Sequence, residues 1–425
     1  MSEPTLPPTP ERPGLFYGWR IVAVTFLTLF VSVGFGFYSF GPFFKALAIE
    51  FGGSRMGVGV GLSIFFLTNG LVAPALGRAV ARGNIRRLMT IGILLLTAGF
   101  AMVSQVQSLL QFYLVLGTMM ALGSACIGGL VASALVANWF VRKRGMALGI
   151  ATMGISLSGV VMAPAATVLI EALGWRQTFL VYALLAFCLV LPAIRWLVVD
   201  DPESIGLHPD GDPQPDAPEP SMPLMTWRVA LSDSKFWIIA AVIGLNMCAN
   251  GAILTHIIPH ATDLGFSPSR SSLILSVVAG CGVVGKILFG WISDNFDKRF
   301  AVWLSAGLQA VAVAALLFAE DFGLLVISGS IFGLGMGGLV PLWGTLIGAS
   351  FGRRLFGRVM GLMSPVMLPL QTLGVPLAGW IYDQQGSYDL AFQLFVGAYG
   401  LSMLLLFFLD LPKVEPGRAM RGQGT

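Results

Sequence analysis

The sequence predicts an all-α polytopic membrane protein, with twelve transmembrane helices in two six-helix pseudo-symmetric bundles. Three observations carry that prediction. Hydrophobic residues make up 56% of the chain and charged residues only 11%, with a mean hydropathy of +0.82. Soluble domains carry about 25% charged residues, so lipid must be the solvent for much of this surface. Apolar runs of about 20 residues, the length that crosses a bilayer core, recur along the chain. Finally, a glycine pattern repeats. Gly77 and Gly290, Gly145-x-x-x-Gly149 and Gly357-x-x-x-Gly361, and Gly174 and Gly386 stand 213, 212 and 212 residues apart. Internal duplication of a helical half is a common architecture among transporters.

Taken in order, the segment 1–18 is Pro-rich and polar through Gly14 and lacks a basic stretch followed by an apolar one. It is expected to be a cytoplasmic tail and not a secretory signal. The first bundle covers 19–198, with spans at 19–46, 56–80, 88–106, 109–139, 146–170 and 177–198. A break follows at 199–234, where Pro202, Pro209, Pro213, Pro215, Pro218, Pro220 and Pro223 stand among acids. Such a stretch buries too little apolar surface to fold alone and is expected to be a cytoplasmic linker. The second bundle covers 235–411, with spans at 236–261, 270–293, 300–318, 323–349, 358–381 and 389–411, and 412–425 forms a second tail. A membrane β-barrel is excluded, because its strands would read as short alternating segments.

Orientation follows from the basic residues. One set of loops holds Arg78, Arg82, Arg86, Arg87, Arg142, Lys143, Arg144, Lys298, Arg299, Arg353, Arg354 and Arg358; the other holds Lys45, Arg55, Arg176 and Arg270. Twelve against four places the first set, both termini and the linker in the cytoplasm, as expected for a multi-pass protein of the cell (inner) membrane. The net charge of +4 therefore reflects topology and not nucleic-acid binding. Cys126, Cys188, Cys248 and Cys281 lie inside apolar runs without metal-ligand spacing. The run Gly333, Gly335, Gly337, Gly338 falls inside span ten, where small residues allow close helix contact and phosphates have no access. No metal, cofactor or ATP is expected, and no buried nucleophile–base set suggests an enzyme.

The chemistry is sought among ionisable residues at membrane depth, which are costly and mark function by default. Lys286 stands out. It lies eight residues before Asp294, about 12 Å of helix rise from the span's cytoplasmic end. No Asp or Glu falls near the middle of any span. A buried cation without a carboxylate partner needs an anion from elsewhere, and a carboxylate substrate supplies one. The competing reading is that Lys286 snorkels to the headgroups. Further substrate-binding candidates are Tyr38, Asn69, Asn250 and Gln371; Asn246, Ser124, Ser156 and Ser158 also lie at plausible depth. All of these equally suit interhelical hydrogen bonds. His256 and His260, near the outer end of span seven, are either proton-linked or headgroup contacts.

Gly290-Trp-Ile-Ser-Asp294-Asn-Phe-Asp-Lys298-Arg299 resembles the loop signature of the major facilitator superfamily. Its N-terminal copy, Gly77 to Arg87, carries Ala81 where the family has an aspartate. Trp139-Phe140-x-Arg-Lys-Arg144-Gly145-Met-Ala-Leu-Gly149 and Gly174-Trp175-Arg176 are similar to the same superfamily. Tyr17-Gly18-Trp19, Phe43-Phe44-Lys45 and Thr255-His256-x-x-Pro-His260 resemble its monocarboxylate and oxalate–formate transporter branch. The resemblance implies alternating access, with Gly290, Asp294, Arg299 and Arg144 in the gating loops. Proton-coupled members of that branch have a lysine in span one, and an aspartate and arginine four apart in span eight. The matching positions are Tyr38, Gly282 and Lys286. A cationic anchor is present in changed form, and the lysine and aspartate are absent.

The expected function is secondary active transport of small organic anions, foremost monocarboxylates, by proton symport or anion exchange. A monomer is favoured as the working unit. The alternatives are a dicarboxylate or formate-type antiporter, an exporter of amphipathic compounds, and a membrane sensor that transports nothing. One buried cation is few for a dicarboxylate, and a cation exporter calls for an acid at depth.

Overall fold

The computed structural model describes residues 16–35, 39, 43, 46–47, 50–51, 55–212 and 226–411. The first bundle contains α1 (Gly18–Val33), α2 (Arg55–Ala81), α3 (Ile85–Val103), α4 (Leu109–Trp139), α5 (Arg144–Leu173) and α6 (Trp175–Leu197). The second contains α7 (Ser234–Asp263), α8 (Pro268–Asn295), α9 (Lys298–Leu316), α10 (Phe322–Gly337, continuing through 339–351), α11 (353–385) and α12 (Asp389–Leu405).

Local chemistry sets the ends. Ser108, Ser267, Asp297 and Asp321 accept backbone N–H bonds at the starts of α4, α8, α9 and α10, satisfying donors that a helix leaves free at its N-terminus. The repeat-related Gly174 and Gly386 both hold positive φ, 82° and 70°, where α5 and α11 stop. A side chain disfavours that backbone, which is why the glycine recurs. Helix runs almost unbroken from Phe322 to Gln385, and only Gly352, at φ 73°, separates α10 from α11. Sixty-four residues of helix exceed twice the bilayer core, so the stretch crosses twice. Inside α4, Gly128 adopts extended φ/ψ and a π turn covers Leu116–Met120.

Within the first half, α1 packs on α4 and α5, and α3 packs on α4 and α6. Within the second, α7 packs on α11 and α12, α8 on α10, and α9 on α10 and α12. The halves meet along α5–α8 and α2–α11, and α4 also touches the α10–α11 stretch. These two seams are related by the internal repeat. A Cβ at Gly149 would overlap the carbonyl oxygen of Lys286, and one at Gly361 would stand 2.6 Å from that of Ala73. Ala73 and Lys286 are 213 residues apart, the offset that also relates Gly77 to Gly290.

The described parts of the linker, 199–212 and 226–234, make specific contacts with the bundles. Asp200 accepts from the backbone N–H groups of Ile85 (3.0 Å) and Arg86 (2.7 Å) at the start of α3. Asp210 accepts from Val141, Arg142 and Lys143 ahead of α5. Arg142 pairs with Asp212 and Arg353 with Glu203. A short helix, Trp227–Ser232, precedes α7. The linker's described acids dock on helix N-termini and loop arginines, partners that lie far away in sequence.

Candidate functional site

The site is built where α5 and α8 part. α8 is pinned on two sides at Lys286. Gly149 of α5 lies against its carbonyl, and a Cβ at Gly337 of α10 would come within 3.0 Å of its backbone nitrogen. Glycines on both neighbours therefore let α8 approach closely and fix the height and rotation of residue 286. The side chain is 5% exposed, and Nζ donates to Ser156 Oγ of α5 at 2.7 Å. It does not snorkel. No carboxylate among the described residues pairs with it. The Lys286–Ser156 bond joins the two bundles.

This bond lies in the α5–α8 seam, two turns beyond Gly149. On one face of α5, Gly145, Gly149 and Ser156 are covered, whereas Val160 and Thr167, one and three turns further from the linker end, are exposed. On the other seam, Gly77 and Ala73 lie against Gly357 and Gly361, and Gly70 still meets Leu368. One turn beyond, Phe66 and Thr372 are exposed. Among the described residues, both seams are thus closely packed at the linker end and lose that packing away from it.

Asp294 closes the shut end. Its carboxylate accepts from the backbone N–H groups of Gly145 and Met146, both at 2.7 Å, so an acid of the second half caps the N-terminus of α5 in the first. Gly290 and Gly145 are both glycine because their backbones touch; a Cβ on either would overlap the other's carbonyl oxygen. Arg144 is 6% exposed, bonds to the Phe140 carbonyl and lies over the Phe356 ring of α11. Arg353 adds a cross-bundle bond to the Asn138 carbonyl at 2.9 Å. Arg299 does not bridge. It pairs with Asp297, holding that carboxyl below the usual range, and reaches the Leu409 carbonyl in its own half.

The other described residues singled out from sequence make their hydrogen bonds elsewhere than at Lys286. Tyr38 lies outside the described residues. Asn250 turns to α12, where its Oδ1 accepts from Tyr399 at 2.6 Å. Asn246 bonds to Val242 of its own helix and to Ser402 of α12. Asn69 is half-buried and donates to the Phe65 carbonyl of its own helix. Gln371 is half-buried on α11, its carbonyl facing Gly251 of α7. His256 bridges the Tyr388 hydroxyl and the Val375 carbonyl. Because a carbonyl only accepts, Nε2 is the donor to Val375. His260 packs edge-on against Tyr388 and Phe392. The two histidines form a corner of α7, α11 and α12 at the end away from the linker. The partner that sequence gave no reason to prefer is Ser156, one of several serines at similar depth. Its signal was its place seven residues after Gly149, two turns along one helix face.

The paired bundles and their repeat-related seams are the architecture of a polytopic helical transporter. The chain belongs to the Major Facilitator Superfamily, whose family model matches residues 26–364 and 245–424. Its curated relatives include monocarboxylate transporter 12 of Rattus norvegicus, 27% identical over 76% of this chain and 71% of that protein. Monocarboxylate transporter 11 of Homo sapiens is 28% identical over 94% of this chain and 84% of its own length. An uncharacterized MFS-type transporter of Bacillus subtilis, YcxA, is 24% identical over 93% and 97%. Among solved structures, the E. coli fucose:proton symporter FucP superposes with a TM-score of 0.71 at 13% identity, covering 94% of this chain and all of that one. The human organic anion transporter MFSD10 gives 0.70 at 15%, covering 93% and 100%. At such identities the likeness speaks for the fold alone.

Proposed function

We propose that this transporter carries small organic anions, monocarboxylates foremost, by alternating access, with the Lys286 ammonium as the carboxylate anchor. The observation that carries this reading is a buried ammonium between the two bundles whose partner is a neutral hydroxyl. A charge taken out of water needs a close opposite charge, and a serine offers only a dipole. A substrate carboxylate entering from the open end would reach Nζ and replace Ser156. Loosening the Lys286–Ser156 bond would release one tie between the bundles, which connects binding to their rocking. The monocarboxylate names of the relatives support the same class. Coupling by proton symport or by anion exchange fits this site equally. The excess of Lys and Arg at the linker end supports a cytoplasmic side for that end and both termini, in a protein of the inner membrane.

Carboxylate binding by Lys286 variants tests the reading. Breaking a buried charge pair costs about 3–5 kcal/mol, so Lys286→Ala should weaken binding by roughly 10²-fold or more while the purified protein stays folded. Lys286→Arg keeps the charge but presents a planar fork, so it should retain part of the affinity and shift the preference among carboxylates. Wild-type affinity in Lys286→Ala, measured by calorimetry in detergent, would remove Lys286 from the site.

A further inference from the structure

We infer that the linker end of the first bundle carries a binding site for the phosphate headgroup of an acidic phospholipid, between α3 and α6. A cleft of about 530 Å³ opens there, lined by Asn84, Arg86, Arg87, Thr90, Ile91, Arg195 and Asp200. Three guanidinium groups face one carboxylate. That carboxylate is already engaged, since Asp200 caps the two N–H groups at the start of α3. Among the described residues, none of the three arginines forms a salt bridge. Arg86 instead donates to the Arg195 carbonyl, which ties the two helix ends together and sets the walls of the cleft.

The surroundings select a lipid over a soluble anion. Ile91 lines the cleft and is 45% exposed, and Leu94 and Leu189 nearby are also exposed, so an acyl chain has a surface to follow. Trp196, next to Arg195, is 79% exposed. An exposed tryptophan beside arginines marks headgroup depth. Arginine forks suit phosphate oxygens, and basic pockets between helices at this depth hold anionic headgroups. The site lies outside the substrate cleft and does not depend on what that cleft carries.

Native mass spectrometry and thermal unfolding of the full chain test this, with added phosphatidylglycerol, phosphatidylcholine or inorganic phosphate. The expected result is a retained phosphatidylglycerol adduct and a rise in melting temperature, neither produced by phosphatidylcholine or by millimolar phosphate. Arg87→Gln with Arg195→Gln spares the Arg86–Asp200 contacts and should reduce both signals at least several-fold. Arg78→Gln with Arg82→Gln, at exposed arginines of the same end, should leave them unchanged. Equal loss in both double variants would reduce the effect to diffuse surface charge and overturn the site. Full stabilisation by phosphate alone would assign the cleft to a soluble anion and overturn the lipid.

Discussion

At the scale of single residues, the proposed function turns on what Lys286 touches. Its position was legible in the sequence, as the one cation far from a span end with no acid at comparable depth. Its partner was not, because Ser156 shares its depth and chemistry with Ser124 and Ser158. Only the packing of α5 on α8 selects it; Ser124 instead meets Ser32, and Ser158 donates to the Ile155 carbonyl. Asn250 shows the reverse. Depth made it a candidate, but periodicity does not say which neighbour a polar residue faces, and Tyr399 claims it. The Lys286–Ser156 bond makes its own prediction. A hydrogen bond to a charged group contributes about 1.5–3 kcal/mol, so Ser156→Ala should lower the stability of the substrate-free protein by roughly that much. A bound carboxylate should restore most of the loss, since it supplies the missing partner. Thermal unfolding with and without substrate checks this; an equal deficit in both would mean that Ser156 and substrate do not share Nζ.

At the scale of elements, the two seams do the same work with different residues. The sequence revealed their glycines as a repeat, and the structure shows why they are glycine: Gly145 and Gly149 on one seam, and Gly361 on the other, meet backbone atoms of the facing helix, while Gly357 meets the Val80 side chain. Gly149→Leu and Gly361→Leu should therefore both hold the linker end apart. Spin-label distances across that end should lengthen and uptake should fall at least tenfold in each. Unchanged distances would show that the seams tolerate bulk and are not the gate. Asp294 acts in the same place electrostatically. Charge at a helix N-terminus contributes about 0.3–2 kcal/mol, so Asp294→Asn should shift the balance between closed and open linker ends roughly 2- to 30-fold toward open. Thiol reagents should then label a cysteine placed at Ser293 faster; an unchanged rate would make the Asp294 cap irrelevant to gating. The linker's docking escaped sequence analysis because Asp200 and Asp210 find partners only once α3 and α5 present their N-termini together.

At the scale of the molecule, the span count, the two halves and their duplication followed from hydropathy and spacing, because a bilayer leaves the backbone few options. The conformational state did not, since it depends on which seams are shut. Among the described residues both are closely packed at the linker end and lose that packing beyond Ser156 and Leu368, which suits the one-sided entry proposed for the anchor. The central claim is that this anchor reads a negative charge. Counterflow in proteoliposomes tests it most directly, with radiolabelled short-chain monocarboxylates compared against their uncharged amides, in wild type and Lys286→Ala. The account predicts saturable exchange of at least one carboxylate by wild type, little exchange of its amide, and a loss of roughly 10²-fold in Lys286→Ala. Equal exchange of acid and amide, or undiminished carboxylate exchange by Lys286→Ala, would contradict it.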